Sequence, residues 1–156
     1  MYNLKTAGGS FKGTIGECLF KIANNDAIVT KFFNKQKYFT IFGNYFTPPQ
    51  RLFLESNWYS IDAIEIVKGA QSPRIINLFE IKTRNKYPYE VKFKPKMTLN
   101  THLLYNQAKE LNFQINLATV WLLDNWNYSI EISDFSKENY CLDKPKEYDA
   151  RGSQNK

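Results

Sequence analysis

Three charged residues, Asp62, Glu80 and Lys82, stand in stretches otherwise suited to a buried sheet. Ser60–Val67 reads Ser-Ile-Asp-Ala-Ile-Glu-Ile-Val and Ile75–Lys82 reads Ile-Ile-Asn-Leu-Phe-Glu-Ile-Lys, both rich in β-branched and apolar residues. The turn-forming spacer Lys-Gly-Ala-Gln-Ser-Pro separates them, so they are expected to be neighbouring strands. A charge buried in such strands costs several kcal/mol unless it is paired or coordinates a metal. Two carboxylates and an ammonium suit phosphodiester hydrolysis, which needs an activated water, neutralised phosphate charge and a stabilised leaving oxygen. Hard divalent ions held by carboxylates supply all three, and Mg²⁺ takes one or two carboxylates together with waters and substrate oxygens. Asp62 comes early on one strand and Glu80 late on the next, so antiparallel pairing brings them to the same end of the sheet. Glu80 and Lys82, two apart, project from one face. Lys82 then lies beside the metal, where it can orient the water or offset developing negative charge.

The elements that must position these groups follow from pattern. Ser10 can cap a helix whose apolar residues Ile15, Cys18, Leu19, Ile22 and Ala23 fall at helical spacing and which stops near Asn24-Asn25. Cys18 is expected in the core, and Glu17 on or beside the buried stripe, where it could add a carboxylate. Gly13 and Gly16 each weaken this helix by roughly 1 kcal/mol relative to Ala, while letting it lie close to a neighbour. Ala27–Phe33 and Lys37–Phe46 read as strands around an Asn34-Lys-Gln hairpin turn, Pro48-Pro49 closes that section, and Arg51–Ser56 reads as a short strand or an edge segment. Further on, Thr98 or Asn100 can cap a helix with Leu103, Leu104, Ala108 and Leu111 as its periodic residues. Phe113–Leu123 reads as a buried strand paired with Tyr128–Ile132. Residues 1–142 are expected to form a single domain and 143–156 a polar, flexible tail. Helix, several strands, helix, two strands predicts an α/β (α+β) fold, with one sheet and helices packed on it.

The chain has 156 residues, enough for a real core, and 43% apolar and 16% aromatic content argue for a packed globule. The 21 Lys and Arg against 15 Asp and Glu give a net charge of +6, which favours an anionic partner, nucleic acid before an anionic membrane surface. The cation excess concentrates between Lys82 and Lys96, where Arg84, Lys86, Lys92 and Lys94 also lie, against the single acid Glu90. Tyr87, Tyr89 and Phe93 interleave with them, a mixture suited to phosphate contact and base stacking. Cys18 and Cys141 make neither a disulfide framework nor a Cys-x-x-Cys zinc pair. There is no charged-then-apolar leader, and no apolar run approaches the ~18–20 residues of a membrane span. No membrane partner is expected, and an intracellular, cytoplasmic setting is the default. The richness in Asn, Lys, Ile and Tyr hints at an AT-rich genome, a virus among the candidates.

These residues together resemble the PD-(D/E)XK nuclease superfamily, the restriction-endonuclease-like fold that includes archaeal Holliday-junction resolvases. Lys-Gly-Thr-Ile-Gly-Glu17 is similar to its first-helix glutamate motif, Ser-Ile-Asp62 to its strand-borne aspartate, and Glu80-Ile-Lys82 to its Glu-x-Lys. Gln107, in Tyr-Asn-Gln-Ala-Lys-Glu, resembles the glutamine often found on the following helix. The resemblance spans roughly Ser10 to Leu123, with Ile61 in place of the motif's proline and Ala27–Ser56 read as an inserted hairpin. It implies an αβββαβ core with a central mixed sheet flanked by helices, and Mg²⁺ or Mn²⁺ bound by Asp62, Glu80 and the Ile81 carbonyl. It further implies Lys82 as the catalytic lysine, with Glu17 and Gln107 supporting the site. Duplex cutters of this fold commonly pair two active sites, so a homodimer is open for this chain.

The expected activity is metal-dependent endonucleolytic hydrolysis of DNA, gripped through Arg84, Lys86, Lys92, Lys94 and Lys96. Backbone contacts of that kind position a strand without reading its sequence. The alternative is a non-catalytic nucleic-acid-binding module of this or another α+β fold, and an RNA-directed nuclease would share the same site. Glu90-Val-Lys92 is a second Glu-x-Lys, but it follows Pro88 within the basic run and lacks a preceding apolar strand. His102 is the only histidine, which excludes mechanisms needing a histidine pair, and it reads as an ordinary polar helix residue. Trp58, Trp121 and Trp126 read as packing residues.

Overall fold

The computed structural model of the chain describes residues 9–67, 74–85, 94–125 and 127–143. Its elements are α1 (Gly9–Ala23), β1 (Ile28–Val29), α2 (Lys35–Phe42), α3 (Pro48–Asn57), β2 (Ala63–Ile66), β3 (Ile76–Asn85), β4 (Lys96–Met97), α4 (Leu99–Glu110), β5 (Gln114–Leu122), β6 (Tyr128–Asp134) and β7 (Cys141–Leu142). Five strands form one mixed sheet in the order β1-β2-β3-β5-β6. The β1–β2, β2–β3 and β5–β6 pairs are antiparallel, whereas β3 and β5 run parallel, from Asn77 opposite Gln114 to Asn85 opposite Leu122. A parallel pair needs a crossover connection, and α4 lies within it. Among the described residues, the short strands β4 and β7 pair only with each other.

Helices cover both faces. One face of the sheet, with Ile64, Ile76, Leu78, Ile115 and Leu117, packs against Tyr38, Phe39, Phe53, Leu54 and Trp58 from the α2–α3 region and against Tyr105 and Ala108 of α4. The other face, with Ala63, Phe79, Ile81, Ala118, Val120 and Leu122, packs against α1 through Phe20. This is a mixed α+β domain with a central sheet, as the element pattern predicted. The strands expected at Ser60–Val67, Ile75–Lys82, Phe113–Leu123 and Tyr128–Ile132 are β2, β3, β5 and β6, with β3 running on to Asn85. Trp58 and Trp121 are buried, while Trp126 lies outside the described residues, as do positions 144–156 of the expected tail. Among the described residues, no helix is long and apolar enough to cross a membrane.

The expected hairpin between residues 27 and 46 is not there. Only Ile28–Val29 pairs as a strand. Asn34, read as a turn residue, is instead the N-cap of α2, its side chain accepting the Lys37 amide at 2.9 Å. Tyr38, Phe39 and Phe42 are spaced for one helical face, and Tyr38 stacks between Phe42, Phe39 and Trp58. Arg51–Ser56 is likewise helical. Thr47 and Gln50 form a reciprocal capping box, and Pro48 and Pro49 occupy the first positions of α3, where no backbone N–H is needed. The prolines begin a helix rather than close a strand. Gln50 is buried because its amide donates to the Leu111 carbonyl at 2.9 Å, which ties α3 to the end of α4.

Two helical faces also differ from the expected ones. On α1, Phe20 is fully buried and packs on Phe79 at 5.0 Å, whereas Cys18 and Ala23 are exposed and Ile22 is 71% exposed. The rotation is set by Gly16, where α1 comes so close to β3 that a Cβ would lie 1.8 Å from Thr83 Oγ1. On α4, capped by Thr98, Tyr105 and Ala108 face inward while Leu103 is exposed. For α1 the close contact of Gly16 with Thr83, absent from the hydropathy pattern, goes with the burial of the Phe20 stripe.

Candidate active site

The β2–β3 register pairs Ala63 with Phe79, so the next position outward sets Asp62 opposite Glu80. The two carboxylates meet where β2 begins, beside the middle of β3, rather than at an end of the whole sheet. Asp62 Oδ2 accepts the Ile81 backbone N–H at 2.7 Å, and the Asp62 carbonyl accepts the Thr30 amide at 3.0 Å. Thr30 is buried there, its hydroxyl donating to the Ile61 carbonyl. Glu80 is buried, and Lys82 Nζ lies 3.4 Å from its Oε2. Tyr105 of α4, fully buried, donates its hydroxyl to the Phe79 carbonyl at 3.2 Å and lies close enough to Glu80 to lower its pKa.

The electrostatics of the pair are unfavourable in isolation. Burial pushes the Asp62 carboxyl well above the usual range, and the charges of Glu80 and Glu17 push it further, against the lowering effect of the Ile81 amide. Burial also raises Glu80, which the Lys82 ammonium and the Tyr105 hydroxyl hold back. The same acids raise the Tyr105 phenol, whose largest cause is its own burial. Carboxyls pressed together in a dry site favour either a retained proton or a cation. Asp62, Glu80 and the Ile81 carbonyl offer the hard oxygen donors that Mg²⁺ or Mn²⁺ takes. Among the described residues, no group of three or more His, Cys, Asp and Glu side chains is set to hold a metal. A two-carboxylate set nevertheless suits Mg²⁺, which keeps waters and substrate oxygens in its remaining positions.

Glu17 projects from α1, its side chain only 14% exposed, and pairs with Lys31 at 3.2 Å. Its charge reaches Asp62, so the helix brings a third carboxylate to the margin of the site. Gln107 is exposed on α4, two residues beyond Tyr105 and therefore on a different side of the helix. The α4 residue that touches the carboxylates is Tyr105. A buried tyrosine three residues before a buried alanine was the signal for it, masked by the leucines at 103 and 104.

Arg84 is partly buried and donates Nη1–H to the Thr83 carbonyl at 2.9 Å. Desolvation lowers its pKa. Lys94 and Lys96 are exposed, the latter on β4. Lys86, Lys92 and the second Glu-x-Lys at Glu90 lie outside the described residues. His102 pairs with Tyr140 at 2.6 Å and Asn106 at 3.0 Å, as an ordinary polar helix residue would.

No protein-family model matches the chain, and no curated protein gives a significant match.

Proposed function

We propose that this chain is a divalent-metal-dependent phosphodiesterase of restriction-endonuclease-like fold that hydrolyses DNA. The observation that carries the reading is the meeting of a partly buried carboxylate, Asp62, with a buried one, Glu80, which also pairs with Lys82. Such an arrangement is costly without a cation between the acids. With α2 and α3 set aside as an insertion between β1 and β2, and the short β4 left out, the order α1, three antiparallel strands, α4 and then a strand parallel to β3 supports the αβββαβ core that the sequence resemblance implies.

Asp62, Glu80 and the Ile81 carbonyl would hold the ion, which supplies Lewis-acid polarisation of the phosphate and activation of a water. The chain's own groups do the rest. The Ile81 amide fixes the Asp62 carboxylate, Tyr105 anchors Glu80, and the Lys82 ammonium stands ready for negative charge developing on the phosphate. Glu17 of α1, whose charge reaches Asp62, is paired with Lys31 from the turn after β1.

The test is cleavage of linear, nicked, branched and single-stranded DNA, with matched RNA, in Mg²⁺, Mn²⁺ or EDTA. Metal-dependent cutting of DNA that Asp62→Ala and Lys82→Ala both abolish is the expected result. Salt-sensitive binding with no cutting on any substrate would replace the nuclease with a binding module. Cutting that survives both substitutions would remove these residues from the chemistry.

A further inference from the structure

Of the two glycines inside α1, packing requires only one. At Gly16 a Cβ would collide with Thr83, whereas at Gly13 no described residue comes within 4 Å of that position. Glycine in a helix interior costs stability relative to alanine, and packing among the described residues gives no reason for Gly13. Its surroundings do. Gly13 lines a cleft of about 440 Å³ between the early turns of α1 and the second half of β3. Three cationic residues, Lys12, Lys82 and Arg84, contribute to the same lining. A side chain at position 13 would project into this space.

A cleft lined by three cationic residues, with a bare helix backbone at its wall, is suited to a phosphate group approaching closely. Lys82 also touches Glu80, so the cleft adjoins the carboxylate pair. We propose that the Lys12–Gly13–Arg84 cleft binds a backbone phosphate of the nucleic-acid strand, one flanking the phosphate presented to Asp62 and Glu80. The proposal rests on the nucleic-acid reading above, but it assigns a site outside the basic run that motivated that reading. Gly13 keeps the wall open, Lys12 and Arg84 supply charge, and no metal is needed for this contact.

The experiment is binding of labelled single-stranded and duplex oligonucleotides to the full chain in EDTA, over a salt series. Lys12→Ala should lower the slope of log K against log salt by about one, with Lys12→Arg restoring it. Gly13→Leu should fold with a melting temperature equal to or above wild type, yet bind the oligonucleotides about five- to tenfold more weakly. Unchanged affinity and slope in Lys12→Ala and Gly13→Leu would overturn the proposal, as would a wild type that binds no oligonucleotide. Inorganic phosphate is the second probe. If it raises the wild-type melting temperature while oligonucleotides fail to compete with it, the cleft is a free-anion site and the strand assignment falls. A wild type that binds through the cleft but never cuts in Mg²⁺ upholds the cleft and refutes only the nuclease.

Discussion

Replacing Asp62 by asparagine tests whether the carboxylate pair is held together against its own repulsion. The asparagine Oδ1 can still accept the Ile81 amide, so the hydrogen bond at 2.7 Å is kept while the charge beside Glu80 is lost. The sign follows from both carboxyls being raised in the folded protein, chiefly by burial. A raised acid favours the folded state fully below its unfolded pKa, near 4, and loses that contribution as pH climbs through the folded value. Metal-free wild type should therefore lose stability as pH rises from about 4 through neutrality. A tenfold fall in an acid's dissociation constant on folding corresponds to about 1.4 kcal/mol. Asp62→Asn should thus exceed wild type at pH 8 in EDTA by about 1.4 kcal/mol for each tenfold of that fall, and by much less at pH 4. For a chain of this size each such step is roughly 3–6 °C in melting temperature. Thermal unfolding followed by circular dichroism between pH 4 and 9 reads the effect. Added Mg²⁺ should reverse the order, since a cation at a hundred times its Kd adds about 2.7 kcal/mol to the wild type alone. A wild type with flat stability across this range, and an Asp62→Asn variant weaker at every pH, would refute the reasoning.

Two further outcomes follow from the same geometry. Gly16→Ala sets a methyl 1.8 Å from Thr83 Oγ1 and 2.9 Å from its Cβ, so turning the hydroxyl away does not clear it. Overpacking of about 1–3 kcal/mol, less the ~1 kcal/mol that alanine gains in helix propensity, should leave a net loss in urea denaturation. Thr83→Ala should recover part of that loss, and strict additivity of the two changes would dismiss the contact. Tyr105→Phe removes the hydroxyl that donates to the Phe79 carbonyl and lies beside Glu80, at a cost of about 1–3 kcal/mol for the group left unsatisfied. Because that hydroxyl lowers the Glu80 pKa, the acidic limb of the cleavage pH profile should move to higher pH. A stability loss with an unmoved profile would make Tyr105 a packing residue only.

The strands that carry Asp62, Glu80 and Lys82 are legible in the sequence because short apolar runs bounded by turn formers have little else to become. Antiparallel neighbours also follow from the short spacer, and with them the meeting of the two acids. The segment from Ala27 to Ser56 was not legible. Its aromatic residues satisfy a strand pattern as well as a helical one, and only the caps at Asn34 and Thr47 decide between them. Capping is a local hydrogen-bond choice that hydropathy does not register.

By itself, then, the sequence determined the central sheet, its helical partners α1 and α4, and the charged residues its strands would bring together. Tertiary structure alone decided how each helix is turned. Gly16 against Thr83 rotates α1 so that Phe20 rather than Cys18 is buried, leaving Gly13 beside open space. Packing of α4 chooses Tyr105 rather than Gln107 to meet Glu80. A helix with several apolar stripes has no single inward face until a neighbouring backbone sets the closest approach, and that contact is long-range in the chain.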